Sequence, residues 1–161
     1  MARFIRRGVS KIYFLPVVAG YTVAGTGAPT RAEITAGTNL SPEIAEVSGW
    51  MLENATVATP DLGTDFDSGI PGIDSAADSS LTFYEQETTN VIETLLPKGT
   101  AGFVYIMRKG DVPASLSGDL FPVRVGSRSA QITVGADPAR FVVNFSITSR
   151  PSLDKAIPAA T

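Results

Sequence analysis

Hydrophobic and polar positions alternate most cleanly near the end of the chain: Phe141, Val143, Phe145 and Ile147 fall on one side, and Val142, Asn144, Ser146 and Thr148 on the other. Side chains of a strand point alternately to its two faces, so this spacing predicts a strand with one packed and one wet face. Leu81 and Phe83 alternate with Thr82 and Tyr84 in the same way. Val9–Val18 is rich in β-branched and aromatic residues and runs into a Gly-rich turn, Gly20–Gly27, which predicts a first strand. Glu43–Val57 reads as strand interrupted at Gly49, a sign of a bulge or bend, with the only tryptophan, Trp50, just after it. Gly102–Lys109 is a further strand, followed by a turn at Lys109-Gly110-Asp111 and irregular chain to Asp119. Leu120–Gly126 and Ser129–Gly135 are expected to form a hairpin.

Helical signals are few. Thr30-Arg31-Ala32-Glu33 has capping-box spacing, in which the threonine hydroxyl accepts from the Glu33 amide and the Glu33 carboxylate reaches back to the Thr30 amide. Gly37 follows at a C′ position, so this helix has under two turns. A second begins at Asn90, with Val91, Ile92, Leu95 and Leu96 on one face and Pro97 and Gly99 as its stop; its expected role is to cover a sheet.

From Pro60 to Ser80 the apolar periodicity disappears into a Pro, Gly, Asp and Ser-rich segment. Such long structureless stretches inside compact domains are uncommon and are usually functional or disordered. The expected organisation is an N-terminal arm over residues 1–8, one β domain over 9–149 with a long loop at 60–80, and a C-terminal tail over 150–161. The fold class is mainly β: an antiparallel sandwich or barrel of six to eight strands with one flanking helix and extended termini.

Composition narrows the chemistry. A length of 161 residues fits one domain with a real core. Hydrophobic residues make up 43% and charged ones only 18%, which suits a protein that covers its surface with neighbours. The net charge of −3 gives no excess cation with which to grip nucleic acid. Without cysteine or histidine the chain lacks disulfides, thiol nucleophiles, the commonest general base and the commonest transition-metal ligand.

What remains is weak. Asp65-Phe66-Asp67 with Gly69, flanked by Asp61 and Asp74, resembles a fragment of a calcium loop but has no third acid before the glycine and no bidentate glutamate after it, so a solvated acidic loop is expected. Gly25-Thr26-Gly27 lacks the rest of a dinucleotide fingerprint. Three Asn-X-Ser/Thr triplets, at Asn39, Asn54 and Asn144, have no secretory signal behind them. Arg3, Arg6 and Arg7 before the apolar stretch Ile12–Ala19 imitate a signal peptide, but Lys11 and Pro16 break the pattern, and the stretch is shorter than the roughly 20 residues of a membrane span. It reads as a basic arm entering a strand. Glu85 and Glu87 are the closest strand pair for carboxylate chemistry, and solvated neighbours are the expected outcome. Tyr13, Tyr21, Tyr84 and Tyr105 do not cluster in a loop, which argues against the alternative of a monomeric ligand- or carbohydrate-binding β-sandwich. Trp50 is expected in the core. No catalytic residue, metal or cofactor is assigned.

Several segments together resemble the tail tube (major tail) proteins of siphophages. PTRAEITAGTNLSPEIAEVSGW, Pro29 to Trp50, is similar to that family's early helix, turn and strand. IPGIDSAADSSLTFYEQE is similar to its loop-to-strand junction, ETLLPKGTAGFVYIMRKGD to its helix, Pro-Gly stop and next strand, and FPVRVGSRSAQITVGADPARFVVNFSIT to its closing hairpin and last long strand. The resemblance covers most of residues 29–148. It implies a structural virion protein whose hexameric rings stack into a hollow tube through which genomic DNA passes without specific binding. Its partners would be further copies of itself and tape measure, tail terminator and tail tip proteins, with assembly in the host bacterial cytoplasm and location in the virion tail.

The resemblance also gives the 60–80 segment a role, since a loop without its own core gains order from a neighbour. Expected inter-subunit contacts are Arg3, Phe4, Ile5, Arg6 and Arg7 in the arm and Asp61, Leu62, Asp65, Phe66, Asp67, Ile70 and Ile73 in the loop. The arm's cations would pair with acids across the interface, and a weakly negative subunit would suit a lumen that repels phosphate.

Overall fold

A computed structural model describes residues 2–18 and 27–160. All of the Gly20–Gly27 turn except Gly27, together with Tyr21 and most of the Gly25-Thr26-Gly27 triplet, lies outside the described residues. The strands are β1 (Lys11–Pro16), β2 (Thr38–Asn39), β3 (Ile44–Ser48), β4 (Leu52–Ala58), β5 (Gly69–Ala76), β6 (Ser79–Tyr84), β7 (Ala101–Met107), β8 (Leu116–Gln131), β9 (Arg140–Ile147) and β10 (Ser152–Ala156), with short helices α1 (Arg31–Ala36) and α2 (Val91–Leu95). The main sheet runs β2-β1-β7-β8-β9-β6-β3, every neighbour antiparallel, and β4 and β5 pair only with each other.

β8 organises the sheet. Its first half pairs with β7, Tyr105 opposite Leu120 and Gly102 opposite Val123. On the other edge, Val123 pairs with Ile147 of β9, and Leu120 with Ser152 of β10, so β9 and β10 lie end to end along one side of the same strand. The strand bends at Gly126, where the register shifts between Val125 and Ser127. This corrects the expected hairpin over Leu120–Gly126 and Ser129–Gly135: an interior glycine marked a bulge, not a turn. The hairpin joins β8 to β9 instead.

The bend folds the two halves of the sheet onto one core. Phe14, Val104 and Phe121 from one half meet Leu81, Phe83, Phe141, Val143 and Phe145 from the other, with Trp50 among them and Ile92 and Leu96 of the α2 segment closing the cluster. The clean alternation of β9 reports this directly, since Phe141, Val143 and Phe145 are its buried side chains. The opposite face of β1-β7-β8 is also covered: Leu15, Tyr105, Met107 and Leu120 pack against Ile34 of α1 and Ile157 near the C-terminus.

Helix α1 carries the expected capping box, with the Glu33 amide donating to the Thr30 hydroxyl at 3.3 Å and the Thr30 amide to the Glu33 carboxylate at 2.6 Å. Gly37 caps it in extended rather than left-handed conformation; a Cβ there would sit 2.4 Å from Leu15, so close approach to β1 is what requires glycine. At α2 the Asn90 side chain makes no capping bond, and the five-residue helix is held by the burial of Ile92 and Leu96, while Val91 is exposed.

Two further expectations fail. The 60–80 segment is not structureless, because Gly69–Ala76 is β5 and Ser79 begins β6. The C-terminal residues are not a free tail: Ser152–Ala156 adds a strand to β8, Ile157 is buried, and its carbonyl accepts from the Ala114 amide at 2.9 Å. Arg31 secures this end. Its guanidinium donates to both Asp111 carboxylate oxygens (2.7 and 2.8 Å) and to the backbone carbonyls of Pro158 (2.6 Å) and Ala159 (3.2 Å).

The Arg31 hydrogen bond holds the Asp111 carboxyl below its ordinary value. A carboxylate with a depressed folded pKa stabilises above its unfolded pKa and loses that contribution as pH falls through the folded one. Asp119 is shifted upward, chiefly by desolvation, and its contribution has the opposite sign. Below about pH 4, the ordinary aspartate range, the Arg31 contact is therefore expected to loosen and the Ile157 and Ala114 amides to exchange faster than core amides of β7. Hydrogen exchange across this range, with Asp111→Asn removing the pH response, checks it; parallel slowing of both sets would contradict it.

Candidate assembly surfaces

The chain leaves the main sheet at one point. Gly49 and Trp50 are consecutive left-handed residues, at φ of 81° and 61°. They turn the backbone out of β3 and start a hairpin, β4–β5, that neither continues nor pairs with the sheet. Trp50 pins the root. Its ring lies 5.3 Å from Phe121 and 5.5 Å from Phe145, its amide donates to the Ser79 hydroxyl at 3.0 Å and its indole N–H to the Ser80 carbonyl at 3.2 Å. Where the chain returns, the Ala77 amide donates to the Met51 carbonyl at 3.0 Å, so the two ends of the hairpin are neighbours.

Beyond the root, the hairpin is a projecting arm. Seven-residue β4 gives it a reach of roughly 23 Å. Ties to the body include the Arg150–Asp74 ion pair at 2.8 Å, with Asn54 also donating to Asp74 at 2.6 Å. Val57 and Ile70 are register partners on one face, and both are half exposed; Ile73 is 83% exposed. Leu62 and Phe66 at the tip are fully and largely exposed. A two-stranded ribbon is at best marginally stable alone in water, and within the chain these apolar side chains stay uncovered.

All the sequence-derived loop residues, Asp61, Leu62, Asp65, Phe66, Asp67, Ile70 and Ile73, lie on this arm and are exposed. Asp61 is used internally, accepting from the Gly63 amide at 2.8 Å and the Thr64 hydroxyl at 3.2 Å to shape the tip turn. Val57 escaped sequence reasoning because it read as the end of the interrupted strand Glu43–Val57. So did Ile132 and Val134 in the β8–β9 turn, both almost fully exposed.

The second surface is the N-terminal arm. Its root is fixed by the Val9 and Ser10 amides, which donate to the Arg6 carbonyl (3.0 and 2.9 Å), and by the Ser10 hydroxyl, which donates to the Arg108 carbonyl at 2.7 Å. Arg3, Phe4, Ile5, Arg6 and Arg7 are all exposed, Ile5 to 79%. Among the described residues none of Arg3, Arg6, Arg7 and Lys11 takes part in an ion pair.

Elsewhere the polar groups serve the fold. Arg108 pairs with Asp119 at 2.8 Å and with Asp154, joining β7, β8 and β10. Tyr105 is fully buried, and burial pushes its phenol up to about 12. Glu85 and Glu87 are exposed just beyond β6. Among the described residues no three acidic side chains gather as a metal site. A shallow groove at the hairpin root is lined by Leu52, Arg150, Pro151, Ser152, Leu153 and Lys155, without an aromatic side chain. No helix among the described residues is long and apolar enough to cross a membrane.

One solved structure shares this architecture. A chain in the cryo-EM structure of the anti-feeding prophage baseplate superimposes with a TM-score of 0.61 at 9% identity, covering 96% of this chain and 99% of that one. A crystal structure of an Hcp protein aligns over 94% of this chain and 99% of that one, with a TM-score of 0.39 and 10% identity. No curated protein matches in sequence. The family model described as phage tail tube protein matches residues 1–160. The chain belongs to the phage tail tube protein family, a family of structural components of the tail.

Proposed function

We propose that this chain is the repeating tube subunit of a long-tailed, non-contractile phage. Six copies form a ring, and rings stack into a hollow tube that conducts the genome during ejection. The tube encloses a tape measure protein, is closed by terminator and tip proteins, and is built in the host cytoplasm; the subunit itself catalyses nothing. Its weakly negative charge suits a conduit that does not hold DNA, and a positive lumen potential in the assembled tube would contradict that part of the reading.

The observation that carries the proposal is the β4–β5 arm, which displays apolar side chains to solvent and touches its own body mainly at the root. With the N-terminal arm it gives each subunit two extended surfaces that gain their packing from neighbours. The contact residues of this reading are Arg3, Phe4, Ile5, Arg6 and Arg7 in one arm and Asp61, Leu62, Asp65, Phe66, Asp67, Ile70 and Ile73 in the other.

Because Met51 and Ala77 are hydrogen-bonded neighbours, residues 52–76 can be replaced by a two-residue turn without straining the sheet. The shortened protein is expected to unfold at close to the temperature of the full chain, because residues 52–76 contribute no side chain to either core cluster, and to sediment as a monomer under conditions in which the full chain assembles. Assembly of the shortened protein at the same concentration would refute the role of the arm.

A further inference from the structure

Strand β8 ends in a second projection. Residues 128–139, the end of β8 and the turn into β9, are all exposed, with Ile132 at 91% and Val134 at 109%. From Ile132 to Ala139 the turn holds one charged side chain, Asp137, and no lysine or arginine. The cations that flank it are committed to their own body: Arg128 donates to the Glu93 carbonyl at 2.8 Å, and the Arg140 guanidinium lies 5.5 Å from the centre of the Tyr84 ring. The tip is therefore a small aliphatic knob with a single acid.

The groove at the hairpin root has the complementary character and lies at the other end of the same strand. β10, which supplies most of its lining, pairs with β8 between Leu116 and Leu120. From Leu120 to Gln131, where the tip begins, β8 spans at most roughly 36 Å. Leu52, Pro151 and Leu153 give the groove apolar walls, Arg150 and Lys155 give it two cations, and its volume of about 380 Å³ exceeds that of an isoleucine and a valine side chain together. Asp74 occupies Arg150 at 2.8 Å, whereas among the described residues neither Lys155 nor Asp137 takes part in an ion pair.

Resting on the tube-subunit reading, we infer that the β8–β9 tip of one copy seats Ile132 and Val134 in the hairpin-root groove of the next copy, with Asp137 pairing with Lys155. A second copy is the occupant because the match holds in size, in apolar character and in the sign of the charge, and because an assembly of this chain presents as many tips as grooves. Knob and socket are different patches at opposite ends of β8, so the contact is head-to-tail and repeats from copy to copy in one direction. Removal of two aliphatic side chains from water supplies the attraction, and the single ion pair fixes the register.

The chain has no cysteine, so introduced thiols report the contact directly. Val134→Cys protein is mixed with Leu153→Cys protein under assembly conditions and oxidised, and peptide mass spectrometry measures the 134–153 disulfide, which forms only between molecules because each carries one thiol. Thr88→Cys, at an exposed position ahead of α2, replaces Leu153→Cys in the control mixture, and circular dichroism verifies that every variant is folded. The 134–153 yield is expected to exceed the control several-fold. Adding Asp137→Lys to the Val134→Cys protein is expected to lower it several-fold, and adding Lys155→Asp to its partner to restore it. A 134–153 yield no higher than the control in tubes that do form, or a yield that Lys155→Asp fails to restore, would overturn the contact while leaving the tube-subunit reading standing. An unaltered chain that assembles neither alone nor on added tail tips would overturn both.

Discussion

Trp50→Ala is expected to lower the free energy of unfolding by about 3–5 kcal/mol, the range for removing a buried large aromatic side chain. That is a large part of the 5–15 kcal/mol available to a typical domain. The substitution removes an edge contact with Phe121 and a tilted contact with Phe145, and it leaves the Ser80 carbonyl without the indole N–H that now reaches it. The cavity opens where the two halves of the sheet meet, so neighbouring side chains from both sides cannot close it without shifting β8 or β9. Denaturant unfolding followed by far-ultraviolet circular dichroism reads the effect; a loss under about 1 kcal/mol would show that the indole is not the pin it is taken to be.

Gly49→Ala should cost about 2–5 kcal/mol, through two causes that add. A side chain in left-handed conformation costs about 1–2 kcal/mol, and Gly49 stands at φ 81°. A Cβ would also lie 2.2 Å from the Asp78 carbonyl oxygen and 2.8 Å from the Ser79 Cα, both backbone atoms of the returning strand, and forcing extra volume into a packed site typically costs about 1–3 kcal/mol. Gly49→Ala should therefore displace the hairpin root as well as destabilise the core, blue or red shifting the fluorescence of the single tryptophan next to it. An unchanged spectrum with unchanged stability would contradict the packing described. Trp50→Gly, which relieves the φ strain but not the lost packing, should be no more stable than Trp50→Ala by more than about 1 kcal/mol.

These two residues also show what the sequence makes legible. A lone glycine in a strand pattern followed by the only tryptophan implies a bend beside a buried ring, and that is where the chain turns out of the sheet. The Thr30–Glu33 box and the β9 alternation are similarly explicit, because each encodes a local or half-buried geometry. β5 is illegible for the opposite reason. Much of Gly69–Ala76 is exposed, so no core imposes alternation on it, and Pro71 with two glycines mimics a loop. β10 has only Pro151 and Ile157 buried around it and pairs with register shifts, so its sequence between two prolines carries almost no strand signal. The bulge at Gly126 depends on partners on either edge of β8 that are far apart in sequence.

The proposed assembly surfaces are partly legible as exposed elements. An apolar-sprinkled, Asp-rich segment without periodicity pointed to the hairpin tip, but not to its being an ordered ribbon, and Val57 lay hidden at the end of the interrupted strand Glu43–Val57. The charges are present in the sequence, yet their meaning depends on the fold, which leaves exposed acids on a projecting arm and commits Arg31 to an internal contact. Proximity created by folding, not composition, distinguishes a free cation from a structural one.

Cryo-electron microscopy of the purified full-length protein across a range of concentrations, with tail tip extract added as a nucleus, tests the tube-subunit reading most directly. Hollow tubes of uniform diameter built from stacked six-fold rings, with the hairpin and the N-terminal arm buried between subunits, are the expected result. Folded monomers that neither self-assemble nor extend from the added tips would contradict it.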